Sequence, residues 1–66
     1  MRLRQMRIEA GLSQVQLAQQ MQIDPSIVRH VEAGRTKAYP RFRRVAASVL
    51  GVEEGDLFAD EEAPQG

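Results

Sequence analysis

The chain has 66 residues, equal numbers of acidic and basic residues and no cysteine. This length predicts a single domain, and the lack of cysteine excludes a disulfide framework and a thiolate metal site. The longest apolar run, residues 45–52, is far shorter than the roughly 20 residues of a membrane-spanning helix, and no signal-peptide pattern opens the chain. We therefore expect a soluble, cytoplasmic protein.

The spacing of apolar residues predicts helices, and no segment alternates as a half-buried strand would. The first helix is expected at about residues 2–10. Its inward face follows the spacing i, i+3, i+4, i+7 and consists of Leu3, Met6, Arg7 and Ala10. Gly11 is typical of the residue that ends a helix.

Two further helices, separated by a tight turn, are predicted between residues 13 and 34. Ser13 and Gln16 form a capping-box pattern at the start of helix 2, in which each side chain satisfies the other's backbone N–H. Its buried side is expected to consist of Val15, Leu17, Ala18 and Met21. Helix 3 begins with Asp24 as the N-cap and Pro25 in the first turn, where no N–H is missed, and Gly34 ends it.

The second half of the chain predicts a basic loop, a longer helix and a short one. Helix 4 is expected at about residues 41–50, with an apolar stripe of Phe42, Val45, Ala46, Val49 and Leu50. Helix 5, at about residues 53–58, offers Leu57 and Phe58 either to the core or to a dimer contact. Residues 59–66 are acidic and include proline and glycine, so we expect a disordered tail after a domain of residues 1–58.

Charge is distributed unevenly although the net charge is zero. Residues 1–52 carry a net charge of +6, and residues 53–66 carry −6. A basic body suits a polyanionic partner. A solvated surface of mixed charge is the alternative, and composition alone does not decide between them.

Helix 3 is predicted to have an outward polar face. At about 100° per residue, Val28, Val31 and Glu32 fall on the inward side. The outward side consists of Ser26, Arg29, His30 and Ala33, with Ile27 on the flank. These residue types can bond base edges or touch a thymine methyl in the major groove. An ordinary solvated face is the alternative, but the position of helix 3 as the second of two turn-linked helices favours DNA binding.

The single histidine and the inward-facing charged residues are not expected to have catalytic roles. His30 is the only histidine, and no nucleophile–base–orienter set can be assembled around it. We therefore expect no enzymatic activity, no cofactor and no metal. Arg7 and Glu32 both lie on inward faces, and because a lone buried charge is strongly disfavoured, they are predicted to form an ion pair joining helix 1 to helix 3.

Several segments together resemble the Xre/Cro-type, lambda-repressor-like helix-turn-helix family. They are LRQMR and GLSQVQLAQQM within residues 3–21, the spaced positions Ile23, Ser26, Val28, Val31, Glu32 and Gly34, and ASVLGV and LF within residues 47–58. The resemblance implies an all-α, compact five-helix DNA-binding domain, with the helix-turn-helix at helices 2 and 3. Two departures are Gln22, where the family usually has glycine in the turn, and Pro25, which replaces a polar base-contacting residue.

The resemblance also implies roles for individual residues. Base-reading roles fall on Ser26, Ile27 and His30, with Arg29 adjacent. Phosphate-binding roles fall on Gln14, Arg35, Lys37 and Arg41, and the Arg7–Glu32 pair matches a buried ion pair of the family.

The predicted function is a sequence-specific, double-stranded DNA-binding transcriptional regulator, with a recognition helix at about residues 25–33 in the major groove. Family members often bind as two-fold dimers, so a homodimer is expected. The alternative is a protein-interaction module on the same fold, such as a toxin-neutralising antitoxin or an anti-repressor. The acidic tail supports this alternative through a protein partner, although such a tail can also serve only for solubility.

Overall fold

The computed structural model describes residues 1–59, which form five α-helices and no strand. In chain order the helices are α1 (Leu3–Glu9), α2 (Gln14–Met21), α3 (Pro25–Glu32), α4 (Pro40–Leu50) and α5 (Glu54–Phe58). The all-α, five-helix prediction is confirmed. Of the predicted acidic tail, only Ala59 falls within the described residues, where it is exposed. Over residues 1–59, no helix is both long and apolar enough to cross a membrane.

One hydrophobic core joins the five helices. Its buried side chains are Leu3, Leu17, Ala18, Met21, Val28, Val31, Ala38, Phe42, Ala46, Ala47, Leu57 and Phe58. Phe42 of α4 and Phe58 of α5 meet edge to face, with ring centroids 6.4 Å apart. The backbone N–H of Arg2 donates to the Leu57 carbonyl at 2.8 Å, so α5 is held against both α4 and the start of α1.

The suggestion that Leu57 and Phe58 form a dimer contact is wrong. Both side chains are completely buried within the single chain. A helix of five residues has only one narrow apolar face, and α5 places that face in the core. The structure shows the alternative role of these two residues, which is packing in the core.

Two expectations about buried positions are also wrong. Val15 is 49% exposed, because on a helical wheel it lies about 110° from the centre of the stripe that Leu17, Ala18 and Met21 define. Ala10 is exposed because it is the C-cap of α1 rather than a packed helical residue. Conversely, Ala38 of the basic loop is buried, which no periodic pattern could have indicated.

The turn between α2 and α3 depends on a left-handed glutamine. Gln22 has φ 61° and ψ 44°, a conformation that costs a non-glycine residue about 1–2 kcal/mol. The following N–H, of Ile23, donates to the Ala18 carbonyl at 3.0 Å and so closes the end of α2. The chain therefore adopts the conformation that glycine would favour at this position, and α3 starts only three residues later.

Candidate nucleic-acid interface

The start of α3 is fixed by its cap. The Asp24 side chain accepts a hydrogen bond from the Ser26 backbone N–H at 2.8 Å, and Pro25 occupies the first helical position. Both features are as predicted. Val28 and Val31 are completely buried, so one face of α3 is anchored in the core and the opposite face is turned outward.

That outward face carries the predicted base-reading side chains. Arg29 and His30 are exposed, and Ser26 and Ile27 are half-buried. From its N-terminal to its C-terminal end, this face of α3 therefore presents a small hydroxyl, an apolar side chain on its flank, a long cation and an imidazole. These are side chains that can form hydrogen bonds with base edges or pack on a thymine methyl.

Helix α2 supports α3 from behind. The predicted capping box is present: the Ser13 N–H donates to Gln16 Oε1 at 2.8 Å, and the Gln16 N–H donates to Ser13 Oγ at 3.0 Å. Ala18 is completely buried, and its small side chain allows the two helices to approach closely. The packing of α2 against α3 thus fixes the position of the outer face of α3.

The predicted ion pair between α1 and α3 is present and is double. Arg7 donates from Nε to Glu32 Oε2 at 2.6 Å and from Nη2 to Oε1 at 3.1 Å. Its Nη1 also donates to the Leu12 carbonyl at 2.7 Å. The two side chains are only 9% and 3% exposed, so each charge has its partner where water is largely excluded.

Gln14 takes part in the same network. Its Nε2 donates to Glu32 Oε1 at 3.0 Å, and the residue is half-buried. Sequence reasoning missed this contact, although the spacing of Gln14 with Leu17, Ala18 and Met21 (i, i+3, i+4, i+7) places it on the inward stripe of α2. An amide NH₂ has two donor hydrogens, so the bond to Glu32 does not use up the donors of Gln14.

An open polar recess of about 520 Å³ lies where α1, α2 and α3 meet. It is lined by Arg4, Arg7, Ser13, Gln14, Arg29, Glu32 and Ala33. Glu32 is paired with Arg7, so Arg4 and Arg29 leave the recess with an excess of positive charge. The sequence interpretation did not include Arg4, although its position one turn before Arg7 was a usable signal.

The basic loop after α3 and the first turn of α4 contribute three more exposed cations, Arg35 and Lys37 in the loop and Arg41 in the helix. Gly34, at φ +76°, turns the chain away from α3, and the Arg35 N–H then donates to the His30 carbonyl at 2.9 Å. This bond ties the loop directly to the outward-facing half of α3.

Arg43 of α4 differs from these exposed cations because its side chain contacts other parts of the domain. Its Nε donates to the Ala38 carbonyl at 2.9 Å, and its guanidinium lies 5.6 Å from the centre of the Phe58 ring. It holds the basic loop against the core.

Two short helices joined by a tight turn, with a buried inner face and a polar outer face on the second, define the helix-turn-helix class of domain. Residues 1–60 match the family described as "Helix-turn-helix domain", which is of the Xre/lambda-repressor-like type. The chain belongs to this family, and membership supports DNA as its partner. Comparison with curated proteins and with solved structures found no match.

Proposed function

We propose that this protein is a sequence-specific, double-stranded DNA-binding transcriptional regulator whose helix α3 lies in the major groove. The observation that carries the proposal is the outer face of α3: Arg29 and His30 are exposed on a helix whose other face is locked into the core. The matched family supports DNA binding, and the sequence specificity is our proposal.

Each side chain of this face has a role suited to its chemistry. Arg29 is proposed to donate two hydrogen bonds to a guanine, the commonest specific contact in the major groove. His30 and Ser26 are proposed to bond base edges, and Ile27 to pack on a thymine methyl. Their fixed helical spacing would limit these contacts to a few neighbouring base pairs.

Cations around this face would hold the phosphate backbone. We assign phosphate contacts to the exposed Arg35, Lys37 and Arg41, and to the remaining donor of Gln14. Arg4 is added because it shares a cationic recess with Arg29. Such contacts position the protein on the duplex and supply salt-dependent affinity, but they carry no sequence information directly.

The test is selection of the purified protein against random double-stranded oligonucleotides, followed by sequencing of the bound pool. We expect an enriched motif. An inverted repeat with half-sites about 10 base pairs apart would indicate a two-fold dimer, and a single short site would indicate a monomer. In either case a variant with Arg29→Ala and His30→Ala should lose the motif while its melting temperature stays close to that of the unchanged protein.

No enrichment, with only weak and salt-sensitive binding, would contradict the proposal. The remaining expectation would then be a protein-interaction module with a basic partner for its acidic C-terminal segment.

A further inference from the structure

The first residues of α3 present acceptors to solvent and lack a free donor of their own. Pro25 has no N–H, and the Ser26 N–H is already donated to the Asp24 carboxylate at 2.8 Å. Asp24 itself is exposed. A carboxylate has about four acceptor sites, so its capping bonds leave acceptor capacity on the side that faces away from the core.

Asp24 is held in its charged form. Hydrogen bonds from the Ser26 side chain and backbone, aided by the positive charge of Arg29, hold the pKa of the Asp24 carboxyl below its ordinary value of 3.8. When the Ser26 hydroxyl donates to Asp24, only its acceptor lone pairs remain for other partners. The nearby Arg29 is the donor of the face, one helical turn further along.

A fixed carboxylate in the major groove discriminates strongly among base edges. It is repelled by phosphates and by the acceptor atoms of guanine and thymine. Cytosine presents an N4 amino donor and no acceptor on its own major-groove edge, whereas adenine places the N7 acceptor next to its N6 amino group. A carboxylate at this position therefore favours cytosine over the other three bases.

We propose that Asp24 is a specificity-determining residue, which accepts a hydrogen bond from the N4 amino group of a cytosine in the major groove. This inference rests on the proposed function. It deepens that function because it names one base of the binding site: the DNA bound by one copy of α3 contains a cytosine read from the start of that helix, in addition to the guanine read by Arg29.

The experiment compares base selection by the unchanged protein and by Asp24→Asn. Asparagine caps a helix as well as aspartate does, so the variant should fold, and its amide suits adenine N6 and N7. We expect the unchanged protein to prefer cytosine, by about 5- to 150-fold over the other bases, at one position of the DNA bound by each copy of α3. In Asp24→Asn that preference should disappear at this position alone or shift to adenine. Asp24→Ser, which also keeps a capping side chain, should likewise lose it.

A control separates base reading from general charge repulsion. Asp56→Asn removes one negative charge from an exposed residue of α5 and should leave the preference for every base unchanged. An unaltered cytosine preference in Asp24→Asn would show that Asp24 only caps the helix. A uniform rise in affinity for all duplexes would show that it only repels phosphate. Either result overturns the inference and leaves the proposed function intact, whereas no enriched site for the unchanged protein would overturn both.

Discussion

Arg7 and Glu32 connect the first helix directly to the helix that carries the proposed base-reading face, through a bond of 2.6 Å between Nε and Oε2. Glu32 is the last residue of α3, two positions beyond His30. Because desolvation offsets much of the Coulomb attraction of a buried pair, such a pair adds little net stability compared with apolar side chains of the same size. Its main consequence here is geometric, since it fixes the C-terminal end of α3 against α1.

A double-mutant cycle tests this ion pair. Arg7→Met and Glu32→Leu should each lower the free energy of unfolding by about 3–5 kcal/mol, because each leaves a buried charge without its partner. The double variant should regain most of this loss, because apolar side chains replace the pair at little net cost, so the coupling energy should be at least about 3 kcal/mol. Urea unfolding in the presence of a stabilising osmolyte is the measurement, since a domain of this size has only about 3–5 kcal/mol of net stability to lose.

The control cycle for the ion pair uses the exposed contact on α1 between Gln5 Nε2 and Glu9 Oε2, 3.1 Å apart. Alanine substitutions there should couple by no more than about 0.5 kcal/mol. If Arg7 and Glu32 coupled as weakly as this control pair, the two charges would not stabilise each other in solution.

Arg29→Ala tests whether α3 reads bases. We expect a loss of about 1–3 kcal/mol of binding free energy on the selected site and a relaxed preference at one or two base pairs. Affinity for unrelated duplexes should change far less. Fluorescence anisotropy with the selected site and its single-base variants measures both effects.

Arg44→Ala is the matched control for Arg29→Ala, because Arg44 is an exposed cation of α4 without an assigned role. It should preserve the base preference. Equal losses on every duplex for Arg29→Ala would mean that Arg29 binds phosphate and that α3 does not read sequence through it.

Much of this fold follows from helix caps and helical periodicity, which can be recognised in the sequence. The cap at Asp24–Pro25, the capping box at Ser13 and the inward stripe of α3 were all predictable, because each depends on residues a few positions apart. The burial of Leu57 and Phe58 was not, because it depends on how α5 meets α1 and α4.

The candidate site shows the same division. The outward face of α3 was predictable from helical periodicity alone. The recess shared by Arg4 and Arg29 and the bond from Gln14 to Glu32 were missed. Helical spacing marked Arg4 and Gln14 themselves, but which side chains they meet depends on how three helices converge. Val15 was assigned to the core from its apolar character although its wheel position pointed outward, so periodicity was the better guide than residue type.

Arg35→Ala tests the proposed phosphate contact in the basic loop. Arg35 is exposed, and its loss should weaken binding to all duplexes alike without altering the selected motif. The slope of log K against log salt concentration should become less steep by about 1, because one fewer counterion is released on binding. Titrations at several salt concentrations measure the slope, and a changed base preference at constant slope would place Arg35 on a base instead.

Gln22→Gly tests the strain in the turn between α2 and α3. Glycine adopts the left-handed conformation of Gln22 (φ 61°) without the cost of about 1–2 kcal/mol that a side chain incurs. Glycine also loses more conformational freedom on folding, by about 0.5–1 kcal/mol. The net expectation is a gain of about 0.5–1 kcal/mol in the free energy of unfolding, measured by urea denaturation.

Gln22→Ala is the control for the turn, because alanine keeps the Cβ atom that makes the left-handed conformation unfavourable. Its stability should stay close to that of the unchanged protein. Both variants should select the same DNA motif, since the turn conformation and hence the orientation of α3 are preserved. If glycine and alanine destabilised the domain equally, the contacts of the Gln22 side chain would outweigh the backbone strain at this turn.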